Sequence, residues 1–136
     1  MPILNVSVTG KSDPARSATI AARLTELTHA HLQKDPAVTA VVINYVEPEH
    51  WFVGGTSLAH QNAKSFWLDI KVTAGTNTKA QLAAYLEAVF KEMSTLLSSA
   101  HEDSYIMVHE VPASAWGFAG KTQEFRFVAG ILNRAA

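Results

Sequence analysis

Pro48-Glu49-His50-Trp51-Phe52-Val53-Gly54-Gly55 returns later in the chain as Pro112-Ala113-Ser114-Ala115-Trp116-Gly117-Phe118-Ala119-Gly120, with Trp51 to Trp116 and Gly55 to Gly120 both spaced by 65 residues. A second echo lies upstream of each copy. Val6-Ser7-Val8-Thr9-Gly10 corresponds to Ile70-Lys71-Val72-Thr73-Ala74-Gly75. Self-similarity at a fixed spacing marks a chain built from copies of one supersecondary unit. The sequence therefore divides into units at about 2–55 and 66–120, a connector at 56–65 and a C-terminal arm at 121–136.

Each unit reads strand, helix, strand. Leu4, Val6 and Val8 alternate with Asn5, Ser7 and Thr9, the period of a half-buried strand. Gly10-Lys11-Ser12-Asp13-Pro14 then supplies a turn, a cap and a proline at the first helical position. A helix is predicted from about 14 to 33, with Ile20, Leu24 and Leu27 as its apolar stripe and Asp35-Pro36 as its stop. Val41 to Val46 follows as a well-buried strand. In the second unit Phe66, Leu68, Ile70 and Val72 alternate with Trp67, Asp69, Lys71 and Thr73. Asn77 and Thr78 are candidate helix caps. Leu82, Leu86, Val89, Met93 and Leu97 mark one helical face, and Tyr105 to His109 is the last long strand.

A strand–helix–strand unit returning to its own sheet has parallel strands. Two such units side by side give an α/β (α+β) fold, a four-stranded sheet with two helices on one face. The other face is then uncovered, and Trp67, Tyr45 and Tyr105 are candidates to lie on it. An uncovered face with large apolar side chains predicts an oligomer. The arm, with Phe125, Phe127, Ile131 and Leu132, reads as a packing arm or short hairpin.

Composition narrows the chemistry. The chain has 136 residues, 48% hydrophobic and 17% charged, enough apolar material for one domain with its own core. It contains no cysteine, which excludes thiol catalysis, disulfides and cysteine-bound metals. A net charge of −1 lacks the basic footprint of a nucleic-acid binder. No apolar run matches a membrane span, and the amino-terminal residues lack a signal-peptide pattern, so no membrane partner and a cytoplasmic location are expected. His29 and His31 are two apart on a helix and point different ways, so no metal site is expected. Gly54-Gly55 lacks the Lys-Ser/Thr of a phosphate loop, and no Gly-x-Ser-x-Gly elbow occurs.

Pro2 is the residue with chemistry at hand. Proline is small enough to allow removal of Met1, which leaves a free secondary amine. In apolar surroundings such an amine loses affinity for its proton and becomes a base near neutrality. Met1-Pro2 ahead of an alternating strand, Gly10-Lys11-Ser12-Asp13 opening a helix, and the paired endings at Trp51 and Trp116 resemble the tautomerase superfamily. The resemblance covers residues 2 to 127, and two fused units are similar to the cis-3-chloroacrylic acid dehalogenase and malonate semialdehyde decarboxylase branch. It implies a homotrimer with sheets facing a central axis, no cofactor, and Pro2 as general acid and base on a small carboxylate or carbonyl substrate.

The resemblance also nominates partners for Pro2. Lys11 stands where short tautomerases carry a carboxylate-gripping arginine, as a point charge rather than a fork. A second, strand-borne arginine is replaced by Val42 in one unit and Tyr105 in the other; Tyr105 could donate to a carbonyl or enolate oxygen. His29 matches a substrate-binding histidine of the dehalogenase branch. Trp51 matches a pocket-wall aromatic. Ala74-Gly75-Thr76-Asn77 lacks the arginines expected of both specialised activities, leaving Asn77 or the adjacent amides to receive an anion. Tautomerisation of an enolisable keto acid or unsaturated acid is the leading expectation. Hydration, dehalogenation or decarboxylation of a small unsaturated acid, and a trimeric non-catalytic binding protein, are the alternatives.

Overall fold

The computed structural model describes residues 1–135. The first unit is β1 (Ile3–Thr9), α1 (Pro14–Leu32) and β2 (Ala40–Val46), closed by the ribbon strands β3 (Phe52–Val53) and β4 (Thr56–Ser57) and the short helix α2 (Leu58–Gln61). The second is β5 (Phe66–Thr73), α3 (Lys79–Leu96) and β6 (Tyr105–Val111), closed by β7 (Gly117–Phe118), β8 (Lys121–Thr122) and α4 (Gln123–Ala135). The main sheet runs β2-β1-β5-β6. Strands are parallel within each unit and antiparallel across the β1–β5 seam. No helix among the described residues is long and apolar enough to cross a membrane.

The alternation read from sequence decides which way each strand faces. Leu4, Val6 and Val8 of β1 and Phe66, Leu68, Ile70 and Val72 of β5 are buried beneath the helices. From above, Ile20, Leu24 and Leu32 of α1 and Tyr85, Val89 and Met93 of α3 meet them, with Leu97 just past the helix end. The stripe of α1 follows i, i+4 spacing through Thr28 rather than Leu27, which is only partly buried. Thr28 tolerates burial because its hydroxyl bonds the Leu24 carbonyl at 2.7 Å and the Tyr85 hydroxyl at 2.9 Å. Burial holds the Tyr85 phenol up at about 12.

Local chemistry sets the helix ends. Asp13 caps α1 by accepting from the Ala15 and Arg16 amides. Thr78 and Gln81 form a reciprocal capping box on α3. Asn77 is not the cap. Its side-chain amide donates to the Leu32 carbonyl and to Gln81 Oε1, which ties the end of α1 to the start of α3.

Three expectations are corrected. β2 is an edge strand with alternate residues exposed, so it is not well buried; Val42 is 48% exposed. Tyr45 does not lie on the bare face. It packs under α1, bonding the Ser17 hydroxyl at 2.9 Å and the Asp13 carbonyl at 3.1 Å. The arm is more than a hairpin strand, because α4 follows β8 directly.

The uncovered face is ordered in cross-strand rows. Asn44, Ser7, Trp67 and Tyr105 form one, Val42, Asn5, Asp69 and Met107 the next. Trp67, Tyr105 and Met107 are about half exposed or more. The opposite face carries the core, so truncating it tests the fold. Leu24→Ala should lower unfolding free energy by about 2–5 kcal/mol in urea melts, because the fixed strands beneath α1 cannot close the cavity. A loss under about 0.5 kcal/mol would show that α1 does not seal this core.

Candidate active site

Pro2 is buried immediately before β1, and its carbonyl accepts the Ala40 amide, so the first parallel ladder fixes it. The seam reverses β5 against β1, which brings the outgoing end of β6 to this side of the sheet. The ribbon and helix after β6 therefore close over the amino terminus. One cleft, of about 200 Å³, lies between Pro2 and Trp116, Phe118 and Gln123. A larger one, of about 570 Å³, lies between Met1 and Thr73, Thr76, Gln123, Glu124 and Arg126.

The tight ribbon depends on Gly117. A Cβ there would meet the Lys121 carbonyl oxygen at 2.5 Å, closer than packed atoms allow. The return brings Gln123 back onto Trp116, whose carbonyl accepts the Gln123 amide at 3.0 Å.

Two cations act on the terminal amine. Burial lowers the affinity of the Met1 amino group for its proton, Lys34 and Arg126 lower it further, and Asp35 opposes them. Lys34 is itself pushed down by burial, and its ammonium donates to Thr76 Oγ1 at 2.8 Å. The Arg126 guanidinium lies over the Phe118 ring, 4.3 Å from its centre. Three buried polar atoms on this side of the sheet have no partner among the described residues: Trp116 Nε1, Gln123 Nε2 and Arg126 Nε. All three are donors. The pattern of a base among orphaned donors and cations suits an anionic, oxygen-rich ligand.

The residues nominated from sequence divide between the two ends of the sheet. At the Pro2 end, His29 bonds the Lys34 carbonyl through Nδ1 at 3.0 Å, holding the loop that carries Lys34 and Asp35. Asn77 sits beside Thr76, with its amide used as the helix tether. Lys11, Trp51 and Tyr105 lie at the other end. Lys11 lies past the far end of β1, whose 7 residues span about 23 Å at ~3.3 Å per residue. Trp51 shares a groove with Ser7, Val46 and Trp67, and Tyr105 is the register partner of Trp67. One chain does not bring these three to Pro2.

Sequence reasoning missed Lys34, Gln123 and Arg126. Lys34 precedes the Asp35-Pro36 break and reads as a solvated loop lysine. Arg126 falls in the arm, whose path carried no signal. Gln123 was discoverable, because in the repeat it takes the place of Leu58. The second-unit stretch that lacks an arginine, Ala74 to Asn77, has Thr76 in the cleft where α4 supplies Arg126.

A family model described as tautomerase enzyme matches the chain twice, over residues 2–61 and 67–126. The crystal structure of a native fused 4-OT superposes with a TM-score of 0.80 at 24% identity, covering 90% of this chain and 97% of that one. A wild-type fused 4-OT solved as a symmetric trimer gives 0.78 at 18% identity, covering 90% and 96%. A protein crystallised after inactivation by 2-oxo-3-pentynoate gives 0.78 at 14%, covering 90% and 98%. At these identities the likeness is one of fold. No curated protein matches the chain by sequence.

The electrostatics of this end can be measured. A nearby cation disfavours the ammonium form, so Lys34→Gln should raise the pKa of the terminal amine. The pH at which 3-bromopropiolate begins to label that amine, followed by intact mass, should move to alkaline values. An unmoved profile would place Lys34 outside the site.

Proposed function

The chain belongs to the tautomerase family, and from that premise we propose that it is a cofactor-independent keto–enol tautomerase of a small enolisable carboxylic acid. Pro2, freed by removal of Met1, carries the proton. The observation behind this reading is the burial of Pro2 beside one cleft, with Met1 on both clefts and Lys34 and Arg126 acting on its amine.

The proposed chemistry moves one proton. The neutral Pro2 nitrogen takes it from carbon next to the substrate carbonyl, and the C–H electrons become the enolate C=C bond while charge passes to oxygen. The prolinium then returns the proton at the other end of the conjugated system. Atoms and charge are unchanged overall. Lys34 and Arg126 offset the carboxylate and the developing enolate, and the burial and cations that lower the proton affinity of the Met1 amine would act on the Pro2 amine once Met1 is removed. A proline amine held low in affinity for its proton takes it up only when the enolate's charge is beside it.

The runner-up reading is hydration or dehalogenation of an unsaturated acid. Glu124 on the larger cleft favours it, as a carboxylate able to orient water opposite the prolinium.

We further propose a homotrimer with the bare sheet faces turned inward. The exposed row of Trp67 and Tyr105 supports it, as does likeness to a fused 4-OT that forms a symmetric trimer. Only a neighbouring copy could bring Lys11, Trp51 or Tyr105 to Pro2. His29 keeps its part as holder of the Lys34 loop.

Pro2→Ala should reduce kcat/KM for phenylenolpyruvate ketonisation by about 10²–10⁴-fold. Wild type without activity that this change removes would leave a binding protein on the same scaffold, and halide release from 3-chloroacrylate would favour the runner-up. By light scattering the wild type should be trimeric. Trp67→Lys combined with Met107→Lys should shift it to monomer, and a trimer indifferent to both changes would refute inward packing.

A further inference from the structure

The two units are superimposable in their hydrogen bonding where each ribbon turns into its closing helix. Ser57 accepts the His60 amide at 3.1 Å, and Thr122 accepts the Phe125 amide at 3.0 Å. The Leu58 amide donates to the Trp51 carbonyl at 2.8 Å, and the Gln123 amide to the Trp116 carbonyl at 3.0 Å. Leu58 and Gln123 therefore occupy one slot in two copies of the same device.

The slots differ in what they bury and in what they cover. Leu58 is fully buried, and it closes a hollow beside Lys64, where the backbone runs on uninterrupted. Gln123 is 9% exposed, its Nε2 has no partner, and it lines both clefts that flank Met1 and Pro2. Burying an amide N–H without an acceptor costs about 1–3 kcal/mol, which a leucine in the same slot avoids. The polar residue sits in the copy that covers the chain terminus.

We infer that Gln123 contacts the substrate and selects for an acceptor oxygen on the carbon beside the carboxylate. Its Nε2 donates to that oxygen while Lys34 and Arg126 face the carboxylate. The inference rests on the Pro2 site proposed above. A fixed amide donor gains strength as the oxygen takes on enolate charge, and it is left unpaired by an acid lacking that oxygen. Gln123 thus separates 2-oxo acids from simple unsaturated acids.

Two amine-directed reagents separate these terms. Both 2-oxo-3-pentynoate and 3-bromopropiolate carry a carboxylate and an electrophilic alkyne, but only the first has the 2-oxo oxygen. Gln123→Leu, which copies the Leu58 solution, should slow labelling of Pro2 by 2-oxo-3-pentynoate about tenfold or more. Its labelling by 3-bromopropiolate should stay within about twofold of wild type, and its Tm should hold or rise. An unchanged ratio between the reagents would overturn the inference, as would equal slowing of both. Wild type that resists both reagents refutes the Pro2 reading instead. Calorimetric titration with pyruvate and propionate then decides Gln123 alone. A preference for pyruvate that Gln123→Leu erases upholds it, and no preference, or one the variant keeps, overturns it.

Discussion

The antiparallel seam between β1 and β5 is the constraint on which the site depends. Leu4 faces Ile70, Val6 faces Leu68 and Val8 faces Phe66, all from one side of the sheet. A slip of one residue would turn Leu4, Val6 and Val8 to the uncovered face. The same pairing sets direction. Because β5 runs against β1 and β6 runs with β5, the second unit's ribbon must emerge where the first unit's chain begins. No loop has to travel to build the clefts around Pro2. They follow from joining two strand–helix–strand units head to tail.

That junction also explains how Pro2, so near the amino terminus, can be buried. A chain end is ordinarily solvated and frayed. Here the Ala40 amide holds the Pro2 carbonyl, β7 lies against it, and α4 brings Arg126 over Phe118. Desolvation and two cations then act on the amine in one direction, with Asp35 alone against them. The arrangement is destabilising for an empty protein, since it gathers cations and leaves three donors unpartnered. The core under α1 and α3, away from the clefts, offsets that cost.

Much of the fold was legible because it rests on periodicity. The alternation of β1 and β5 gave the buried face residue by residue, and the repeat of the tryptophan–glycine endings gave the two units. The two errors in β2 have one source. Tyr45 and Val42 were judged by residue type, whereas an edge strand next to a helix buries one face and frees the other. At the site, Pro2 was nominated by its place ahead of an alternating strand in a repeated unit and by the resemblance those features carry. Lys34 and Arg126 were not, because each reaches the terminus through tertiary packing that no local pattern encodes. Lys11, Trp51 and Tyr105 drew attention through resemblance, and they sit at the far end of the sheet from Pro2 within one chain.

Duplication makes the two ends chemically unequal although their backbones agree. The two ribbons differ at matching positions, and the second is the one that lies against Pro2. Phe52 in one ribbon is answered by Gly117 in the other, and Leu58 by Gln123. Gly117 lets the second ribbon press against the Lys121 backbone, and Gln123 puts a donor where the first unit keeps hydrocarbon. Each change would be a defect if made at the Lys64 side, where there is no base to serve. A symmetric assembly of single units would have to accept such changes at every copy or at none. Fusion removes that coupling, so one ribbon stays a structural seal while the other is free to acquire the close approach at Gly117 and the unpaired amide of Gln123.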